Sequence, residues 1–157
     1  MEARLNVMRN PVAGKFITHI LGANKVLTES GLSATTRELV ALRVSQINGC
    51  AGCIDMHTKE AEAAGETAVR LHLVAAWREA TVYTAAERAA LDLAEHATRI
   101  ADGYGVPDEV WEAAAAHFDE DQLVALVCHI SMMNAFNRLN VTTRQPAGDY
   151  VAGRLPH

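Results

Sequence analysis

Asn48-Gly49-Cys50-Ala51-Gly52-Cys53-Ile54-Asp55-Met56-His57-Thr58-Lys59-Glu60-Ala61-Glu62-Ala63-Ala64-Gly65 reads as one amphipathic helix with its punctuation. Asn48 is a favoured N-cap residue and Gly65 stands where a helix can end. At about 100° per residue, Cys50, Cys53, Ile54, His57, Ala61 and Ala64 fall within one arc of roughly 100°, the width of a core-facing stripe. Asp55, Lys59 and Glu62 occupy the opposite arc and are expected at solvent. With Asn48 as cap, Cys50 would sit in the first turn, where unpaired N–H groups and the positive dipole end favour a thiolate.

The same periodicity runs along the chain. Apolar residues recur at three and four, alanine is abundant, and long alternating β-branched runs are absent, so the expected fold is all-α. Helices are expected over residues 12–29, 34–47, 49–64, 67–79, 85–102, 108–117 and 120–141, a bundle of six to seven. Ser33 is placed to cap the second, and Thr84 with Glu87 and Asp119 with Gln122 form capping boxes for the fifth and last. At 157 residues and 50% hydrophobic, the chain can bury one sizeable core, and it reads as a single domain over 1–157. Its tail, 145–157, with Pro146, Gly148, Gly153 and Pro156, is expected to be irregular and to pack on a neighbour.

Charge and apolar runs narrow the function. Fourteen basic against nineteen acidic residues give a net charge of −5 without a Lys/Arg cluster, which argues against a nucleic-acid or anionic-membrane partner. Met1 to Asn10 has no apolar signal-peptide core, and the run from Leu123 to Phe136 is broken by His129 and too short for a bilayer. The expected location is the cytoplasm. In a reducing compartment a Cys-x-x-Cys pair is catalytic or metal-binding more often than structural, and three cysteines cannot complete a disulfide framework.

Cys50 and Cys53, three apart on a helix, can close into a disulfide, and His57 falls on the same side a turn beyond Cys53. Glu38 joins them by a length argument. If the Asn48-Gly49 break makes a tight antiparallel hairpin, Glu38, ten residues before Asn48, and His57, nine after, lie at similar height at about 1.5 Å per residue. The carboxylate would then orient the imidazole and the imidazole would take a thiol proton.

Other readings compete at each position. Thr35 to Glu38 also fits a capping box, and Cys50, Cys53 and His57 are three of the four ligands a structural zinc would need. Cys128 and His129 lie in a run that is apolar nearly all round, which suits core or subunit packing. His19, His72, His96 and His117 have no partner in sequence and read as structural or surface residues, and Asn134, Asn137 and Arg138, which punctuate a buried helix, read first as structural hydrogen-bonding residues and otherwise as partners at the site or across an interface.

The pattern Glu38, eleven residues, Cys50-x-x-Cys53, three residues, His57, followed by Thr58, Ala61 and Gly65-Glu66, resembles the AhpD-like alkylhydroperoxidase branch of the carboxymuconolactone decarboxylase family. Leu32-Ser33 before Arg37-Glu38-Leu39, and Val44-Ser45-Gln46-Ile47-Asn48 before the first cysteine, extend the likeness. The resemblance implies an all-helical homo-oligomer, a trimer or hexamer, that reduces organic hydroperoxides through a dithiol/disulfide cycle reset by a dithiol reductant, with no cofactor or metal. It assigns Glu38 and His57 to a proton relay and Cys50 and Cys53 to the redox pair. Cys53, nearer the base, is expected to attack, and Cys50 to meet the reductant. Some members carry a second histidine between the cysteines, where this chain has Gly52. The alternatives are a lactone decarboxylase using His57 and Glu38 without redox, or a thiol-based sensor with little turnover.

Overall fold

Seven α-helices follow one another in the computed structural model, which describes residues 2–103 and 105–153. They are α1 (Pro11–Glu29), α2 (Ala34–Asn48), α3 (Ala51–Ala63), α4 (Ala68–Leu73), α5 (Ala85–Thr98), α6 (Asp108–Ala115) and α7 (Glu120–Thr143), with no strand among the described residues. The starts follow from local chemistry. Asn10 accepts from the N–H groups of Val12 and Ala13 to cap α1, Ser33 accepts from Thr36 N–H to cap α2, and both expected capping boxes, Thr84/Glu87 and Asp119/Gln122, are closed.

α2 is the central element and packs against α3, α5 and α7. Leu39, Val40, Ala41, Leu42, Val44 and Ser45 on it are all buried, so it is covered nearly all round rather than on one stripe. Two apolar clusters meet on it. Val40, Ala41 and Val44 join Ala90, Leu93, Leu126 and Ile130 on one side, while Leu39 and Leu42 join Ala61, Leu71, Val74, Trp77 and Leu91 on the other. α1 contributes only Leu27 to the interior.

Three expectations about helix bounds and caps shift. The helix expected over 67–79 stops at Leu73 and passes through a 3₁₀ turn at Val74–Ala76. Its remaining carbonyls find tertiary partners instead, because Arg88 donates to the carbonyls of Trp77, Arg78 and Ala80, and Trp77 turns inward to donate its Nε1–H to Glu95 at 2.9 Å. The helix expected to reach 102 ends at Thr98 and continues as a 3₁₀ turn, Ile100–Asp102, in which no residue is buried. Asn48 does not cap the third helix. It is the last residue of α2, its Nδ2 drawn to the Oδ1 atoms of Asn134 and Asn137 on α7 at 3.0 and 2.9 Å, and Cys50 becomes the N-cap of α3.

The described part of the tail, through Gly153, forms neither helix nor strand and is tied to α3 of its own chain; residues 154–157 lie outside the described residues. Asp55 Oδ2 accepts from the N–H groups of Gly148 and Tyr150, Lys59 Nζ donates to both their carbonyls, and Glu60 accepts from Gly153 N–H and the Tyr150 hydroxyl. Asp55 and Lys59, expected at solvent, are half-buried as a result. Hydrogen bonds from Lys59 and from Gly148 N–H hold the Asp55 carboxyl below its ordinary range.

Candidate active site

The site is built on the α2–α3 hairpin. Gly49 turns the chain at φ +67°, a conformation that suits glycine, and the N–H of Cys50 returns to the carbonyl of Ser45 at 2.9 Å. The two helices therefore run side by side with Glu38 and His57 at matching height, Glu38 Oε2 lying 2.8 Å from His57 Nδ1. The capping-box reading of Thr35 and Glu38 does not hold, because Ser33 caps α2 and the Glu38 carboxylate is engaged by His57.

Cys50 and Cys53 are joined in a disulfide with Cα atoms 5.3 Å apart, and each residue is 1% exposed. The Cys50 Sγ accepts from the Cys53 N–H at 3.4 Å, acting as the cap of α3. The start of α3 at Ala51 moves Cys53 to the third helical position, so it is Cys53 rather than Cys50 that occupies the first turn. Of the expected inward stripe, Cys50, Cys53, His57 and Ala61 are buried and Ile54 half-buried; Ala64 is exposed, since α3 has already ended at Ala63.

Burial pushes the Glu38 carboxyl up, but the hydrogen bond from His57 and the Arg37 guanidinium nearby outweigh it and hold the carboxyl below its ordinary range. It is therefore a carboxylate at neutral pH. The other ring nitrogen, His57 Nε2, is buried and has no hydrogen-bond partner. The Glu38 side chain is 30% exposed against 7% for His57, and a cavity of about 290 Å³ lined by Ala34, Thr35, Leu39, Ala61 and Gly65 opens beside it. The chain of polar groups thus meets solvent at its carboxylate end and is closed at the thiol end.

α7 closes the thiol end. Asn140 Nδ2 donates to Cys53 Sγ at 3.3 Å, a contact no sequence spacing announced. Asn134 and Asn137 bind Asn48, Asn137 also donates to Ser45 Oγ at 3.1 Å, and Arg138 donates to Asn134, so these residues tie α7 to the hairpin. Beyond α7 the tail crosses α3 at Gly52, where an added Cβ would meet the Pro146 carbonyl oxygen at 3.4 Å. His129 is a core residue: its Nε2–H donates to the Arg37 carbonyl at 2.9 Å, and burial pushes its pKa down to about 4, so it is neutral. Its neighbour Cys128 is not in the core but free and exposed. His19, His72 and His117 are exposed, and His96 pairs with Asp92 at 3.4 Å.

With this fold and geometry in view, the chain belongs to the carboxymuconolactone decarboxylase family, in its AhpD-like branch; the family pattern matches residues 11–96. It is 44% identical over 122 residues to the uncharacterised protein YdfG of Bacillus subtilis, an overlap covering 78% of this chain and 82% of that one. Its fold is similar to that of a protein of unknown function from Agrobacterium tumefaciens, named as a candidate antioxidant defence protein AhpD, with a TM-score of 0.86 at 34% identity, covering 95% of this chain and 100% of that one. An uncharacterised peroxidase-related protein from Silicibacter sp. TM1040 superposes with a TM-score of 0.75 at 25% identity, over 94% and 76% of the two chains. Among the described residues no helix is long and apolar enough to cross a membrane.

Proposed function

We propose that the chain is a thiol-dependent peroxidase, or disulfide oxidoreductase, that cycles Cys50 and Cys53 between dithiol and disulfide. The observation that carries this reading is the Glu38–His57 hydrogen bond together with an unpartnered His57 Nε2 one helical turn from Cys53. His57 takes the Cys53 proton while Glu38 balances the charge it acquires. The thiolate attacks one oxygen of an organic hydroperoxide, the O–O bond breaks, and the alcohol leaves with a proton, giving a sulfenic acid on Cys53. Cys50 attacks that sulfur, water departs, and the disulfide forms. A dithiol donor, small or protein-bound, reduces it. The need for such a donor fits a reducing compartment, the cytoplasm.

Intact mass tests this. Dithiol-reduced protein given one equivalent of an alkyl hydroperoxide should lose two hydrogen atoms, with mapping that links Cys50 to Cys53 and leaves Cys128 free to be alkylated. A bridge through Cys128 would overturn the site. Catalysis that survived blocking of the thiols would move the reading to acid–base ring chemistry by Glu38 and His57.

The reading includes a closed homo-oligomer, a trimer or hexamer. Its support is apolar surface left uncovered on α1 and α7: Val12 is 76% exposed, Val26 67% and Val124 58%, with Phe16 and Val127 exposed beside them. Light scattering at micromolar concentration should give a multiple of 16.9 kDa. A monomer at that concentration would remove the assembly from the proposal.

A further inference from the structure

The two sulfurs differ in what faces them. Cys50 Sγ takes a backbone N–H from its own helix, that of Cys53, whereas Cys53 Sγ takes a side-chain N–H from Asn140, 87 residues away on α7. That distant donor is held in place from both sides. One helical turn earlier, Asn137 is fully buried between Asn48 and Ser45, which fixes α7 against the turn that starts α3. After it, the Asn140 carbonyl accepts from Gln145 N–H at 2.9 Å, closing the helix end with Arg144 in the left-handed region at φ +56°.

A divalent sulfur in a disulfide is a weak hydrogen-bond acceptor and a thiolate a strong one, so an N–H aimed at Cys53 gains most when negative charge arrives there. We propose that Asn140 is a catalytic residue that stabilises the thiolate of Cys53, making Cys53 the leaving sulfur when the disulfide is reduced and directing the incoming thiol to Cys50. The inference rests on the dithiol/disulfide reading above. In the reductive step an external thiolate attacks Cys50 Sγ and bonds to it. The Cys50–Cys53 bond breaks and its electron pair leaves on Cys53 Sγ, facing Asn140 Nδ2–H. The donor's second thiolate then attacks the donor sulfur of the mixed disulfide, releasing Cys50 as thiolate and the donor as its own disulfide. In the reduced protein the same N–H favours the charged form of Cys53 for attack on peroxide.

The test is the pH dependence of alkylation by iodoacetamide. Cys53 is followed in a Cys50→Ser background and Cys50 in a Cys53→Ser background, each with Asn140, Asn140→Ala or Asn140→Asp. Hydrogen bonds to charged groups are strong enough that losing one should raise the Cys53 midpoint by about one unit or more in Asn140→Ala. Asn140→Asp keeps the volume of the side chain, loses the donor and adds like charge, so its shift should be at least as large. The Cys50 midpoint should stay put in Asn140→Ala, and in Asn140→Asp it should rise by less than that of Cys53, since the added charge lies farther from it. An unmoved Cys53 midpoint would overturn the proposal, and so would equal shifts of both thiols, which would mark a general rearrangement. Because alkylation needs no peroxide, a shifted Cys53 midpoint in a protein that consumes no hydroperoxide would sink the peroxidase reading and leave the role of Asn140 standing.

Discussion

Replacing Glu38 by Gln should slow the reaction of Cys53 with an alkyl hydroperoxide by on the order of a hundredfold near neutral pH, since general-base contributions run to about 10²–10⁴. Gln has nearly the same size and can still accept a hydrogen bond from His57 Nδ1, so the ring should keep the orientation that the 2.8 Å contact gives it. What is lost is the negative charge that balances the proton taken from the thiol. Partial recovery at alkaline pH is expected, where hydroxide supplies the thiolate without help. His57→Gln should behave alike, and the double variant should be little slower than either single one, because residues acting as a unit are not additive. Stability gives a second readout with a definite sign. The Glu38 carboxyl lies below its ordinary range in the folded chain, so the pair stabilises the fold at pH above that range and the contribution is lost as acid protonates it. The acid side of the stability profile should therefore be shallower in Glu38→Gln. Unchanged peroxide kinetics with a lowered melting temperature would make Glu38 structural and the relay wrong.

Cys53→Ser should abolish dithiol-driven turnover, whereas Cys50→Ser should allow a single oxidation. In the latter Cys53 has no partner for its sulfenic acid, so sulfenic and then sulfinic acid should accumulate on it under excess peroxide. Mass spectrometry of the two variants after a peroxide pulse separates the roles. A stable oxidised species on Cys50 in Cys53→Ser, with none on Cys53 in Cys50→Ser, would reverse them. Although Cys53 sits in the first turn of α3, its own backbone N–H goes to Cys50 Sγ, so what favours the stated order is the base one turn away and the Asn140 N–H on Cys53 Sγ. The expected cap at Asn48 would have put Cys50 there instead. Capping preference alone points to Asn48, but Asn48 is the last helical residue of α2, held there by its Nδ2 bonds to Asn134 and Asn137, and Cys50 takes the cap.

The match of Glu38 to His57 was legible because both lie on one hairpin, where helical rise alone converts residue counts into height. Cys50, Cys53 and His57 were legible for the same reason within one helix. Helix starts with a cap in sequence, at Ser33, Thr84 and Asp119, also came through, while the helix expected to reach residue 79 did not, because Arg88 and Glu95 from the next helix draw its last residues out of register.

Sequence by itself determined the all-helical bundle, the cysteine pair and the Glu38–His57 contact beside it, since each depends on spacing within about 20 residues, where backbone geometry is nearly rigid. Tertiary structure decided what closes over them. Asn140 on Cys53, the asparagines on Asn48 and the tail across Asp55, Lys59 and Gly52 all join residues 86 or more apart. At that separation no periodicity relates one residue to another; the positions are set by how α7 packs against the hairpin, and polar side chains then take whichever partner that packing brings within reach.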